Sequence, residues 1–442
     1  PAPGDEPTPP PARLDVGEAH LAAEAAFLPA AASQETALGR RVFAYGRGAT
    51  LVDVDGRAYV DLAAGTMTQS LGHGHPAVVR AVTEQAARLV NVHDNPTPVR
   101  LDAARALARL LPAHLGSLGF FTTGAEVVEA ALRAAHAAAE PGRTRIAALR
   151  RGFHGKTRGV RALVQWDVGT EPPAPSLLGY PAYCYRCPFD ATYPSCDLLC
   201  ARLTVRQAVA RPDVAALLAE PVQGAAGVIV PPPGYWEIVG RACAEHGVLL
   251  IADEVLTGGG RTGEFLAAQR YGLTPDLVTL AKGIGSGHPV AVLAGTPEVL
   301  DERTWQAAGG HGSTFGGHPV GLAAAASTLT VLHRDDLLAR VRDLAAVLAD
   351  ALGELAEHPA VGEVRGLGLL WGVELVADRA TKAPDPAAAD RVFRRALDLG
   401  VRVMPGGQTL RIAPPFVLEP DELADAIRRL GRAIDDVHQG RA

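Results

Sequence analysis

Val248-Leu249-Leu250-Ile251-Ala252-Asp253-Glu254-Val255 and Leu277-Val278-Thr279-Leu280-Ala281-Lys282-Gly283 share one pattern: an apolar run of strand length that stops abruptly at charge. A run without polar alternation fits a strand buried on both faces, as in a parallel sheet covered by helices. Asp253 would then stand at the carboxyl mouth of one buried strand and Lys282 at that of another. Lys282 is one of three lysines in 442 residues, and nothing structural asks for a lysine there. Partial desolvation lowers an ammonium's pKa and frees the amine as a nucleophile toward carbonyls. The plainer reading of the pair is a buried Lys–Asp bridge with a structural role, so the rest of the chain has to decide.

Between Pro76 and Pro319, strand-like runs at 146–149, 214–219, 248–252, 277–281 and 291–294 alternate with helical patterns at 76–90, 101–111, 126–139, 199–210 and 235–246. That alternation predicts an α/β fold with a mainly parallel sheet and ligands at the carboxyl ends of its strands. Glu220 directly follows the run 214–219, so Glu220, Asp253 and Lys282 are expected along one edge. Near the N-terminus, 42–45 and 51–60 read as short strands around the Asp55-Gly56 turn. The C-terminal part carries helical patterns at 322–333, 337–356, 387–399 and 420–437, with strands near 368–375 and 401–404. Neither end makes a domain alone. The expected layout is a large domain at 76–320, a smaller α+β domain combining 13–75 with 321–442, and a disordered Pro-rich tail at 1–12 without signal-peptide features.

Hydrophobic residues at 48%, charged residues at 20% and a net charge of −6 describe a soluble globular chain with no electrostatic footprint for nucleic acid or anionic membrane. No run approaches the roughly 18 apolar residues that span a bilayer. A cytoplasmic location is expected. Four of the five cysteines fall in Cys184-x2-Cys187-x8-Cys196-x3-Cys200, a spacing open to a metal or a disulfide. The same segment is rich in proline and tyrosine, and in a cytoplasmic enzyme packed, reduced thiols without metal are the default.

Thr122-Thr123-Gly124-Ala125-Glu126 opens a helix with small residues, which lets backbone amides approach a phosphate, although Thr123 could equally be an ordinary cap. Arg151-Gly152-Phe153-His154-Gly155-Lys156 offers an aromatic ring beside a His-Gly pair, and Thr314-Phe315-Gly316-Gly317-His318-Pro319 is a Gly-rich loop before a helix. Joined to Lys282 and Asp253, these pieces suit pyridoxal 5′-phosphate. The lysine would form its Schiff base, and the carboxylate would keep its ring nitrogen protonated.

In family order over nearly the whole chain, the sequence resembles the class III, fold-type-I pyridoxal-phosphate aminotransferases, similar to the acetylornithine and 4-aminobutyrate enzymes. The resemblance is carried by Asp53-Val54-Asp55-Gly56, Leu71-Gly72-His73-Gly74-His75-Pro76, Thr123-Gly124-Ala125-Glu126, Phe153-His154-Gly155, Glu220-Pro221-Val222-Gln223-Gly224, Asp253-Glu254-Val255, Gly260-Arg261-Thr262-Gly263, Lys282-Gly283, Thr314-Phe315-Gly316-Gly317, Gly366-Leu367-Gly368 and Leu410-Arg411-Ile412-Ala413-Pro414-Pro415.

The resemblance implies roles. Lys282 would be the internal aldimine and the proton carrier, and Asp253 the partner of the ring nitrogen. Phe153 and Val255 would flank the ring, with Thr123, Gly124, Ala125 and His154 among the cofactor contacts. Thr314 would reach the phosphate of a neighbouring subunit, making a homodimer with shared active sites. Arg411 would bind a substrate carboxylate under the gating of Glu220, with Lys156 and Met67 also near substrate. An amino donor and an oxo acid or aldehyde acceptor follow as partners. A racemase, epimerase or decarboxylase on the same scaffold is the alternative, because the segment 183–188 resembles a subgroup that includes racemases. Departures from the family pattern fall at Lys156, Ala225, Leu256, Gly259 and His318, which leaves the substrate open.

Overall fold

The two runs ending in Asp253 and Lys282 become neighbours. The computed structural model describes residues 16–27, 41–161, 163–164, 177–300 and 312–441; residues 1–12, expected as a tail, lie outside these. Its main sheet has seven strands in the spatial order Ser117–Phe121, Ala291–Gly295, Leu277–Leu280, Leu249–Asp253, Val214–Ala219, Arg145–Leu149 and Leu177–Gly179. Ala291–Gly295 runs antiparallel to both neighbours and the remaining pairings are parallel. The architecture is thus the expected α/β one with a single reversed strand.

Val214–Ala219 and Leu277–Leu280 are buried at every position. Helices explain this by covering both faces. On one side the helix Gly124–Ala138 packs Val127, Val128 and Ala131 against Ala216, Leu218 and Ile251. On the other, Tyr235, Trp236 and Val239 of the helix Tyr235–Glu245 meet Leu217 and Leu250, and Leu322 and Leu329 of the helix Pro319–Arg334 meet Val278 and Val292. Register then places the edge. Ala219 pairs with Ala252 and Asp253 with Thr279, so Glu220 and Lys282 leave their strands beside Asp253.

Both chain ends build two smaller sheets. Phe43–Arg47, Thr50–Asp53 and Ala58–Asp61 are extended in parallel by Val401–Arg402, which ties the N-terminal part to the C-terminal part. The Asp55-Gly56 turn forms as expected, with Gly56 at φ 81 and Asp53 Oδ1 accepting from the amides of Asp55 and Arg57. The second small sheet orders Val361–Leu367, Leu370–Asp378, Thr409–Ile412 and Met404–Gly406, with Ala383–Pro384 also paired to Leu370–Asp378. The helix expected over 199–210 is α-helical only at Leu199–Thr204 and continues as a π turn over Val205–Val209.

Candidate active site

Three adjacent strands release Glu220, Asp253 and Lys282 into one cavity of about 890 Å³. The same cavity is lined by Met67, Thr123, Gly124, Ala125, Phe153, His154, Lys156, Val255 and Arg411, so every residue singled out from the sequence is there except Thr314. Thr314 lies elsewhere in this chain, its carbonyl accepting from Asn91 Nδ2 at 3.1 Å.

Asp253 is fixed on three sides. Its Oδ1 accepts from Val255 N at 3.1 Å and Thr279 Oγ1 at 3.0 Å, and its Oδ2 meets His154 Nδ1 at 2.7 Å. Burial works against a charge on His154, but the hydrogen bond to Asp253 and the carboxylates of Asp253 and Glu220 outweigh it, and its pKa is raised. Nε2 of the same ring is buried without a partner. Thr279, absent from the sequence-derived candidates, had a signal: it is the one polar residue inside the apolar run 277–281.

Lys282 has φ 48, a left-handed backbone that a non-glycine residue holds only under constraint. Burial lowers its pKa, with Arg411 adding to the effect and Asp253 and Glu220 opposing it. The neutral, nucleophilic amine is correspondingly favoured. Glu220 accepts from Phe153 N and Gly224 N, each at 2.9 Å. Its pKa is pushed up to about 6, chiefly by burial and then by Asp253, against His154 and the two amides. Arg411 enters from the small strand Thr409–Ile412 and donates from Nη2 to Pro405 O at 3.1 Å. Burial lowers its pKa against the pull of Glu220, and its Nε is buried without a partner.

The helix Gly124–Ala138 also begins at the cavity. Thr123 is its N-cap, the hydroxyl accepting from Glu126 N at 3.2 Å. The first amides of a helix have no partner within it, and Gly124 and Ala125 line the cavity. A Cβ on Gly124 would stand 3.0 Å from Val255 Cγ1, so glycine lets the helix start close against Val255. The hydroxyl of Thr122 is buried without a partner. A helix N-terminus, an orphaned hydroxyl, a buried lysine and an anchored aspartate together suit pyridoxal 5′-phosphate, with the phosphate at the helix start.

The cysteine segment is separate. Cys184, Cys187, Cys196 and Cys200 line a much smaller cavity of about 20 Å³, and all five cysteines are free. Among the described residues no group of three or more His, Cys, Asp or Glu stands as a metal-ion site. Burial pushes the Cys200 thiol up to about 11, with Cys184, Cys196 and Cys187 adding to it against the amide of Ala201.

Comparison with known proteins agrees with this geometry. The profile of the family described as aminotransferase class-III matches residues 31–434. The chain is 35% identical over 407 residues to the leucine/methionine racemase of Thermococcus litoralis, covering 89% of this chain and 90% of that one. It is 38% identical over 400 residues to the acetylornithine aminotransferase of Corynebacterium efficiens, covering 89% and 92%. Among solved structures, the omega transaminase from Pseudomonas jessenii in complex with PMP superposes with a TM-score of 0.87 at 28% identity, over 93% of this chain and 96% of that one.

Proposed function

The chain belongs to the class III aminotransferases, pyridoxal-phosphate enzymes that pass an amino group from a donor to an oxo acceptor, and we propose that the cavity at Lys282 is where it does so. The observation that carries this assignment is the meeting of Lys282 and Asp253 in one cavity, from the ends of adjacent strands.

When bound, pyridoxal phosphate supplies an electron sink conjugated to the substrate Cα. The chain's own residues hold, orient and move protons. Lys282 Nζ, whose pKa burial lowers, would be the base that takes the Cα proton and delivers it to the cofactor's C4′. Asp253, immobilised by Val255 N, Thr279 and His154, keeps a proton at the ring nitrogen. Gly124 and Ala125 amides hold the phosphate, and Phe153 and Val255 flank the ring. Arg411 presents its unpartnered Nε to a substrate carboxylate, a charge-assisted contact that its planar fork suits. Glu220 neutralises Arg411 when no carboxylate is present, and Lys156 takes a second one.

We assign residues 76–320 to the cofactor-binding domain and both chain ends to the smaller one. We also place Thr314 at the phosphate of a second copy, in a homodimer. Its position outside the cavity and the 57% exposure of Phe315 beside it support that reading. No helix among the described residues is long and apolar enough to cross a membrane, and a cytoplasmic location fits. The likeness to a racemase keeps a second reading, in which the Cα proton returns from the other face.

Borohydride reduction of the holoenzyme, proteolysis and mass spectrometry should place the pyridoxyl mark on Lys282. A mark on Lys156 or Lys382 would sink the assignment. Chiral analysis of a single amino acid incubated without an acceptor separates the readings: racemisation there would establish the second.

A further inference from the structure

We propose that Asp61, clamped by His73 and Arg402, is a positioning residue for Lys282, acting through the strap of residues 62–71 that it anchors. The inference rests on the cavity assignment above. Asp61 ends the strand Ala58–Asp61, and its side chain is fully buried. The parallel register of Val401–Arg402 sets Arg402 beside it. Its Oδ1 accepts from Ala63 N at 3.1 Å and Arg402 Nη1 at 2.8 Å. Its Oδ2 accepts from Gly65 N at 2.6 Å and lies 2.8 Å from His73 Nε2. Arg402 Nη1 also donates to Gly65 O at 2.7 Å, so this ion pair holds both backbone groups of Gly65. Burial works against the charge of Asp61, but His73, Arg402 and the Gly65 amide hold its carboxyl below the ordinary carboxylate value.

The path of the strap needs such an anchor. Ala64 has φ 44, Gly65 φ 68 and Met67 φ 60, and residues with a side chain keep this left-handed backbone only where their surroundings over-determine it. Thr66, Met67 and Thr68 thereby line the cavity, Met67 in one apolar cluster with Leu256 and Met404. The next three residues press on the turn of the lysine. Lys282–Gly285 is a single 3-10 turn, left-handed at Lys282, φ 48, and followed by Ser286 at φ 43. Leu71 N donates to Ser286 Oγ at 3.2 Å. A Cβ on Gly283 would stand 2.5 Å from Ser70 Oγ, and one on Gly287 would overlap Gln69 Nε2. Gln69, Ser70 and Leu71 thus close over a turn that carries strain at two residues. Strain of this kind relaxes when its support goes, and an amine moved from its productive place loses effective concentration toward the cofactor's C4′.

The test sets methylamine against Lys282 in the holoenzyme. Methylamine nitrogen bonds to C4′ as the bond from Lys282 Nζ breaks, which releases the lysine as a free amine, and borohydride then records which amine holds the cofactor. The methylamine concentration that halves the pyridoxyl mark on Lys282 measures how well the lysine is placed. It should fall about tenfold in Asp61→Asn, short of the roughly 100-fold that a misplacement of about 1 Å can cost. Arg402→Gln should act in the same direction, and Arg402→Lys should recover part of the loss. Ser286→Ala, which removes the bond from Leu71, should also lower the midpoint, and its effect combined with Asp61→Asn should be less than additive. Hydrogen exchange followed by mass spectrometry should quicken at 62–71 and at 282–288 in Asp61→Asn and stay unchanged at Val214–Ala219. Faster exchange at 62–71 alone with an unchanged midpoint, or full additivity with Ser286→Ala, would overturn the inference while leaving the site intact. If Val214–Ala219 loosens as well, Asp61→Asn acts on the whole fold and Ser286→Ala decides by itself: a lowered midpoint upholds the brace and an unchanged one overturns it. A pyridoxyl mark away from Lys282 in the wild-type protein would overturn the site itself.

Discussion

Replacing Arg365 by methionine should destabilise the protein by about 3 kcal/mol and raise KM for carboxylate-bearing donors, although Arg365 does not line the cavity. The side chain is 9% exposed. Its Nη1 donates to Glu363 Oε2 at 2.6 Å and Glu374 Oε2 at 2.7 Å, and its Nε to the carbonyls of Gly227 at 2.9 Å and Val228 at 3.1 Å. Glu374 is fully buried. Removing one partner of a buried ion pair costs about 3–5 kcal/mol, and the low end applies because Glu374 also accepts from Tyr183 and Arg186. The freed loop is the one whose Gly224 amide holds Glu220. Once loosened, it no longer fixes Glu220 opposite Arg411, and KM should rise roughly tenfold, equivalent to about 1.4 kcal/mol. Denaturant unfolding and steady-state kinetics on the same preparation measure both effects. Arg365→Lys should recover only part of either, since lysine cannot reproduce the fork. Two further substitutions check that the effect runs through Glu220. In an Glu220→Gln background the KM effect of Arg365→Met should largely vanish, because coupled residues are not additive. An unchanged unfolding midpoint, or a KM effect of equal size in that background, would refute the reasoning.

Asp253→Asn should lose far more kcat than affinity for pyridoxal phosphate, because an amide keeps the geometry but cannot hold the ring nitrogen protonated. Fluorescence titration beside turnover assays decides it, and near-normal kcat would contradict the role. Apo-protein stability should fall as pH rises from about 4.5 to about 7. Burial pushes Glu254 up to about 7 and Glu220 to about 6, from ordinary values near 4.5, so in that window the folded state holds protons that the unfolded chain has released. Glu254→Gln should flatten the upper part of that slope in urea titrations taken at stepped pH.

Glu220, Asp253 and Lys282 were legible in the sequence because each ends a strand whose neighbours are uniformly apolar, which leaves a charge nowhere to be but at the rim. The helix start at Thr123 was legible for a similar local reason. Arg411 was not readable from local pattern, since its strand Thr409–Ile412 has four residues and no clear period; only the family resemblance pointed to it. The strand Val361–Leu367 went unread because its charges suggest solvent. Arg365 is largely buried nonetheless, paired with Glu374 nine residues along and with carbonyls near 227, which no local window can see. The wall formed by Met67, Leu256 and Met404 likewise exists only after both chain ends have folded against the main sheet.

Adjacent strands in a sheet stand about 4.8 Å apart, and here three of them in succession terminate in an acid, an acid and an amine. Their charges consequently act on one another along the row. His154 stands against Asp253 and feels Glu220, Lys282 feels both acids, and Arg411 feels Glu220 and is felt by Lys282. Changing the charge of one member shifts the field at the others. Neutralising any single member by substitution should therefore move the pH–rate profile as a whole, and each inflection in that profile will belong to the sheet edge collectively.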